Sequence, residues 1–440
     1  MYLKGSKWTY SRRTRRSSPL RVILLVVAVG AMVYINQVVV PATPPLFVPT
    51  STPTRAPESF VSEAESLQTQ GKLSPAIQAY VQAVQADPKN PANFIALARL
   101  QAYIGNYDDA LKNAENAVLL NENNSMAHAV RGWVLGFKQE WLLAEAALKR
   151  SIELDGNNAV AYAYYAEVLA NQDQAGSGDL GTLDKAIAAS KTAQTIAPDI
   201  MESHRARGIV LEITGNNAEA AQEFEAAVKL NPSIADLHLA LGRNYRVLQQ
   251  PDKAVEEFNR ANALNPVDPL PELYISRTYA QVGEYAKAIQ FAEQAVKDSP
   301  TDPYMWGNLG VMYARNRQYK DAIPALRMAL RGGTTEEGKE VQGIALDSST
   351  RVIEFYSNFG LALARTGDCN EALQVAQQME NNVSNDEVAV YNAGEMINIC
   401  KQLAAGGTFT PTANETEAAG ATTPQPPATV DSATTPTPAK

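Results

Sequence analysis

Cysteine and histidine are scarce in this chain, with two and three respectively among 440 residues. That excludes a disulfide-dense scaffold and any multi-cysteine metal site. No Ser-His-Asp, Cys-His or paired-carboxylate arrangement can be assembled, because the acids are scattered as solvated surface charges; no catalytic residue, metal ligand or cofactor site is expected. Net positive charge is confined to the first 40 residues, where Lys4, Lys7, Arg12, Arg13, Arg15, Arg16 and Arg21 stand with no acid, so the chain's −9 becomes −16 beyond residue 40. Such an acidic body lacks the basic surface that displaces counterions from nucleic acid, and no nucleic-acid partner is expected. Long apolar runs are missing too, apart from residues 22–40.

Those 19 residues are broken only near their end by Asn36 and Gln37, and about 20 such residues span a bilayer as a helix. Seven cations precede the run and none lies between it and Arg55, which puts the N-terminus in the cytoplasm and the rest outside by the positive-inside rule. A cleaved signal peptide is the rival, since Val40-Pro41-Ala42 offers small residues near a cleavage point, but the run is longer than a signal core and proline is a poor neighbour for the peptidase. Ser11-Arg12-Arg13 is a weak twin-arginine match, because Thr14-Arg15-Arg16 follows where apolar residues belong. The expectation is a retained single-pass anchor in the cell membrane, with a basic cytoplasmic segment at 1–21 and a Pro/Thr-rich linker at 41–57. Six prolines keep that linker extended, for a reach of up to roughly 50 Å.

The rest of the chain is organised by nine alanines. Ala76, Ala110, Ala144, Ala186, Ala220, Ala254, Ala288, Ala322 and Ala372 recur at intervals of 34 residues, except for one interval of 42 and one of 50. With each alanine set at position 20 of a 34-residue window, position 8 reads Ala64, Ala98, Gly132, Ala166, Gly208, Gly242, Ser276, Gly310 and Gly360. Position 27 is Ala83, Ala117, Ser151, Ala193, Ala227, Ala261, Ala295, Ala329 and then Met379. Small side chains at fixed places let helix backbones approach closely. Position 32 is Pro88, Pro198, Pro232, Pro266 or Pro300 in five windows, which stops the second helix.

This pattern resembles that of tetratricopeptide repeat (TPR) proteins over residues 57–404. The resemblance implies an all-α fold in which about nine antiparallel helix pairs, at 58–404, stack into a right-handed superhelix whose first helices line a concave, partner-binding face. It implies no reaction. Turns between the paired helices fall at Gly71-Lys72, Gly105-Asn106, Gly215-Asn216, Gly283-Glu284 and Gly367-Asp368. Eight extra residues lie within 171–183, and a 16-residue insertion lies near 337–352. Residues 385–403, with Val388, Tyr391, Ile399 and Leu403, read as a capping helix, and the Thr/Pro/Ala-rich tail at 405–440 is expected to be disordered.

Three motifs have bland readings. Gly176-Ser177-Gly178-Asp179-Leu180-Gly181 spells a dinucleotide-binding GxGxxG but follows a helix rather than a strand, so a loop is expected. His128, His204 and His238 all stand at position 4, where other windows carry Phe60, Phe94, Tyr162, Trp306 and Tyr356, and are read as substitutes for an aromatic ring. Cys369 in the turn of the ninth pair and Cys400 near the end of the cap come to the same side of an antiparallel stack, and an extracytoplasmic location favours a disulfide over two free thiols.

In TPR folds, positions 2, 5, 9 and 12 of the first helix face the groove, which assigns Arg99, Arg205, Arg243, Arg246 and Arg277 to it, together with Trp133, Phe137, Leu239, Leu270, Leu273 and Tyr304. Asn308, Asn358 and Asn392 at position 6 resemble the asparagine of carboxylate-clamp TPRs, whose other residues are not reproduced. Arginine forks suit carboxylates, and exposed aromatics supply anchoring area. The competing reading pairs these arginines with Glu167, Glu202, Glu212 and Asp236 of the groove itself. The sequence thus predicts a membrane-tethered, extracytoplasmic, non-enzymatic scaffold that contacts the lipid bilayer through residues 22–40. Its ligand would be a partner protein or peptide segment with acidic and apolar residues along repeats five to seven. The alternatives are a secreted adaptor, a non-catalytic subunit of an envelope enzyme or assembly complex, and an oligomer formed through a terminal repeat.

Overall fold

The computed structural model describes residues 18–39 and 55–406, in two units that part between Arg55 and Ala56. The basic segment before residue 18, the linker up to residue 54 and the tail beyond residue 406 lie outside the described residues.

In the first unit, helix α1 (Pro19–Tyr34) begins where Ser18 Oγ accepts the Arg21 N–H and Pro19 takes the first helical position, and it runs into a π-helical turn at Ile35–Val39. Pro19–Val38 is long and apolar enough to cross a membrane. The helix starts three residues before the apolar run, because its cap and its proline lie outside that run.

The second unit is built of nine helix pairs and a cap. The pairs are α2 (Pro57–Thr69) with α3 (Leu73–Ala86), α4 (Pro91–Tyr103) with α5 (Tyr107–Leu120), and α6 (Ser125–Phe137) with α7 (Trp141–Leu154). Next come α8 (Ala159–Gln174) with α9 (Thr182–Ile196), α10 (Met201–Ile213) with α11 (Asn217–Leu230), and α12 (Ala235–Val247) with α13 (Pro251–Leu264). The last three are α14 (Leu270–Gln281) with α15 (Tyr285–Asp298), α16 (Pro303–Arg315) with α17 (Tyr319–Arg331), and α18 (Thr350–Thr366) with α19 (Cys369–Asn382), followed by the cap α20 (Glu387–Ala404).

All nine alanines at position 20 are fully buried. In four pairs the glycine at position 8 sits against position 24 of its partner helix, a relation the register did not reveal. A Cβ added to Gly242 would meet Phe258 at 2.5 Å, and one added to Gly208 would meet Phe224 at 2.9 Å. Glycine faces Leu148, Phe224, Phe258 or Leu326; where position 8 is Ala98, Ala166 or Ser276, the sequence has the small Ala114, Ser190 or Ala292 at position 24, so volumes are matched within pairs. The first pair sets Ala64 with Tyr80, and in the ninth Gly360 is filled by Met396 of the cap.

Left-handed glycines close five of the turns, with φ between 77° and 90° at Gly71, Gly105, Gly215, Gly283 and Gly367. In three others the same place is taken by Gln139, Gln249 and Arg317 at φ 59°, 56° and 62°, conformations that L side chains adopt at a cost. Three position-4 rings tie their pairs to the loop that precedes them: His128 Nε2, His238 Nε2 and Trp306 Nε1 each lie 2.9 Å from the carbonyl six residues back, of Glu122, Pro232 and Pro300. His204 instead sets Nδ1 2.6 Å from Glu223 Oε2.

The long insertion differs from its sequence reading. It occupies residues 332–349, and a small antiparallel ribbon, β1 (Gly333–Thr334) with β2 (Glu340–Val341), interrupts the helices. Gly332 and Gly343 permit it, because a Cβ on either would stand 2.5–2.6 Å from main-chain atoms across the turn. Residues 350–352, read as insertion, instead form an extra turn at the start of α18, which is 17 residues long against 13 for α16.

The cap buries Ala389, Ala393, Met396 and Ile399, whereas Val388 and Tyr391 are 49% and 62% exposed, so its inward face is turned away from the one those two residues suggested. Cys400 on the buried side is bonded to Cys369, with Cα atoms 5.5 Å apart.

Candidate functional site on the inner face of the repeats

First helices stand side by side, α6 on α8 and α8 on α10, and residues several repeats apart face one another across them. In the N-terminal part this face is filled by its own side chains. Arg99 of α4 pairs with Glu202 of α10, three repeats on. Arg205 is 3% exposed; its Nε and Nη2 fork onto Glu167 at 3.2 and 2.9 Å, and Nη2 also reaches Asp236 at 2.7 Å. Burial opposes the charge on Arg205, but Glu167 and Asp236 outweigh it and hold its proton above the ordinary arginine range. Burial likewise raises the Glu167 carboxyl, with Arg205 pulling the other way.

Above this pair the Arg205 guanidinium lies 5.6 Å from the ring centre of Trp133 and 5.9 Å from that of Tyr103. Trp133 stacks on Tyr164 at 4.4 Å and meets Phe137 edge-on at 5.0 Å. Trp133 is 1% exposed, so it is core rather than a presented anchor, and Phe137 is half-buried against Tyr107 at 4.8 Å. Leu239 and Leu273 are each 4% exposed and also belong to the core.

Beyond α12 the balance changes. Arg243 still forks onto Glu212, at 2.8 and 2.9 Å. Arg246 and Arg277 have no carboxylate partner among the described residues; both guanidinia instead flank the ring of Tyr274, at 6.0 and 5.8 Å from its centre. Arg246 Nε is buried without a hydrogen-bond partner, and Arg277 Nε donates to Asn308 Oδ1 at 3.1 Å. The extra turn of α18 brings in Arg351, whose Nη1 lies 2.9 Å from Glu354 Oε2, while Arg315 Nη2 takes the other oxygen at 2.8 Å. Arg315 and Arg351 therefore share one carboxylate, and Arg246 and Arg277 have none.

Burial, and the repulsion of Arg351, push the Arg277 guanidinium well below the usual arginine range. Arg246 is pushed down by burial, with Tyr274 opposing and Arg351 and Arg243 adding to the push. On α16 and α14 of the same stretch Tyr304 is 42% and Leu270 36% exposed.

The position-6 asparagines serve the framework. Asn308 is 1% exposed and donates to Ser276 Oγ at 3.1 Å, Asn358 donates to the Glu354 carbonyl, and Asn392 to Ser357 Oγ. The GxGxxG stretch forms the loop between α8 and α9, with Leu180 fully exposed. Tyr274, Arg315, Arg351 and Glu354 escaped the sequence reading, Arg351 because it had been assigned to the insertion.

Residues 205–269 and 275–337, spanning these helices, match the tetratricopeptide repeat family model. These helix pairs are tetratricopeptide repeats. Solved structures to which the chain is similar include a tetratricopeptide repeat protein from Parabacteroides merdae ATCC 43184, at 14% identity and a TM-score of 0.37, covering 58% of this chain and 98% of that one. Two MamA structures are 26% and 27% identical, at TM-scores of 0.27 and 0.26, covering 41% and 39% of this chain and 94% and 96% of theirs. No curated protein matches the sequence. TPR arrays are scaffolds for protein–protein interaction, and the fold is typically non-catalytic.

Proposed function

We propose that the protein is a membrane-tethered scaffold, held by the apolar helix α1 with its repeats outside the cytoplasm, that takes a partner polypeptide on the inner face of its C-terminal repeats. The observation that carries this reading is the contrast along that face: self-paired arginines and buried aromatics over α4–α10, then, over α12–α16, Arg246 and Arg277 with no carboxylate partner and Tyr304 and Leu270 exposed. An interface needs accessible apolar anchors flanked by charge, and only the second stretch offers both.

A photo-crosslinking residue at position 304 of the full-length, membrane-bound protein should capture a defined partner that the same residue at position 142 does not. Leu142 is 83% exposed on α7, a second helix of its pair. Equal capture at both positions contradicts the groove reading. Release of the repeats into the soluble fraction with a new N-terminus near residue 41 would replace the anchor by a cleaved signal peptide.

A further inference from the structure

We infer that Arg246 and Arg277 on either side of Tyr274, with Arg351 and Arg315 joined to them through Glu354, form a receptor for an acidic polypeptide segment, one that presents at least two carboxylates to the guanidinia flanking that ring. The inference rests on the groove reading above and adds to it the chemistry of the partner.

Four permanent cations and one carboxylate leave a local excess of three positive charges on a chain whose net charge is −9. Elsewhere on the same face the chain supplies an acid for each arginine: Glu202 for Arg99, Glu167 and Asp236 for Arg205, Glu212 for Arg243. Here it does not, although solvated acids are plentiful. Arginine stays protonated in proteins, and burial together with the repulsion of Arg351 disfavours the charges on Arg246 and Arg277, which have no acid beside them. A bound anion removes that penalty.

The geometry selects a spaced pair of acids over a compact ion. Arg246, Arg277 and Arg351 come from three different helices, α12, α14 and α18, and the ring of Tyr274 stands between the first two. Tyr304 on α16 and Leu270 on α14 are exposed in the same stretch and give the rest of such a segment an apolar seat. The turn that delivers Arg351 follows the ribbon insertion, so the insertion serves to complete the cluster.

The test is titration of a hexaglutamate peptide into the full-length protein in detergent, followed by anisotropy, in parallel with inorganic phosphate at matched ionic strength. Saturable binding is expected, weakened at least tenfold by Arg277→Gln or Arg351→Gln, unchanged by Lys149→Gln on α7, and not displaced by phosphate. Undiminished binding to an Arg246→Gln, Arg277→Gln, Arg351→Gln triple variant, no saturable binding to the wild type, or displacement by equimolar phosphate would each overturn the inference. Partner capture through position 304 that survives the triple variant would overturn the acidic chemistry alone; loss of position-specific capture in the wild type would overturn the groove reading as well.

Discussion

The two ends of the inner face are made of the same residues put to opposite uses. Over α4–α10, arginine is a structural ion: Arg205 lies beneath Trp133 and Tyr103, with Glu167 in its fork and Asp236 beside it. On α12 and α14, Arg246 and Arg277 flank Tyr274 without an acid to balance them. A buried ion pair holds only while both members are present, whereas like charges left together oppose folding and invite a counter-charge. What distinguishes a binding stretch from a filled one is therefore the missing acid, since arginine occurs in both.

Several substitutions break or sharpen that contrast. Arg205→Ala strands Glu167, which is 2% exposed, and should cost about 3–5 kcal/mol, read as a lower denaturation midpoint. Removing the Cys369–Cys400 bond by a double serine variant should cost about 3–4 kcal/mol on the chain-entropy model, felt at the C-terminal end, and a reductant titration of thermal unfolding checks it. Gly208→Ala and Gly242→Ala test what the two ends share; each should cost about 1–3 kcal/mol by crowding Phe224 or Phe258, and a large difference between them would mean that the framework itself changes along the array. Arg317→Gly, relieving a left-handed arginine in a turn, should stabilise by about 0.5–1 kcal/mol without touching binding.

The framework was legible because small residues at a fixed interval can be counted, and all nine position-20 alanines lie where that count puts them. The site was only half legible. Which groove-facing residues remain accessible depends on their position and on how closely successive first helices approach: Trp133 at position 9 and Leu239 and Leu273 at position 5 are buried, whereas Tyr304 at position 2 is not. Pairing over three repeats, as between Arg99 and Glu202, has no local sequence signature. Arg351 was hidden for another reason: a 16-residue break in the period gives no clue that its last residues are helical until the ribbon is seen to close at Gly332 and Gly343.

The contrast itself is tested most directly by the thermal midpoint of two full-length variants in low salt, Arg205→Gln and Arg246→Gln/Arg277→Gln. The first should fall by several degrees, and the second should stay at or above the wild-type value, by up to about 1 kcal/mol, because removing a charge that nothing balances relieves the fold. Equal losses in both variants would contradict the account, since the arginines around Tyr274 would then be holding the structure together as Arg205 does.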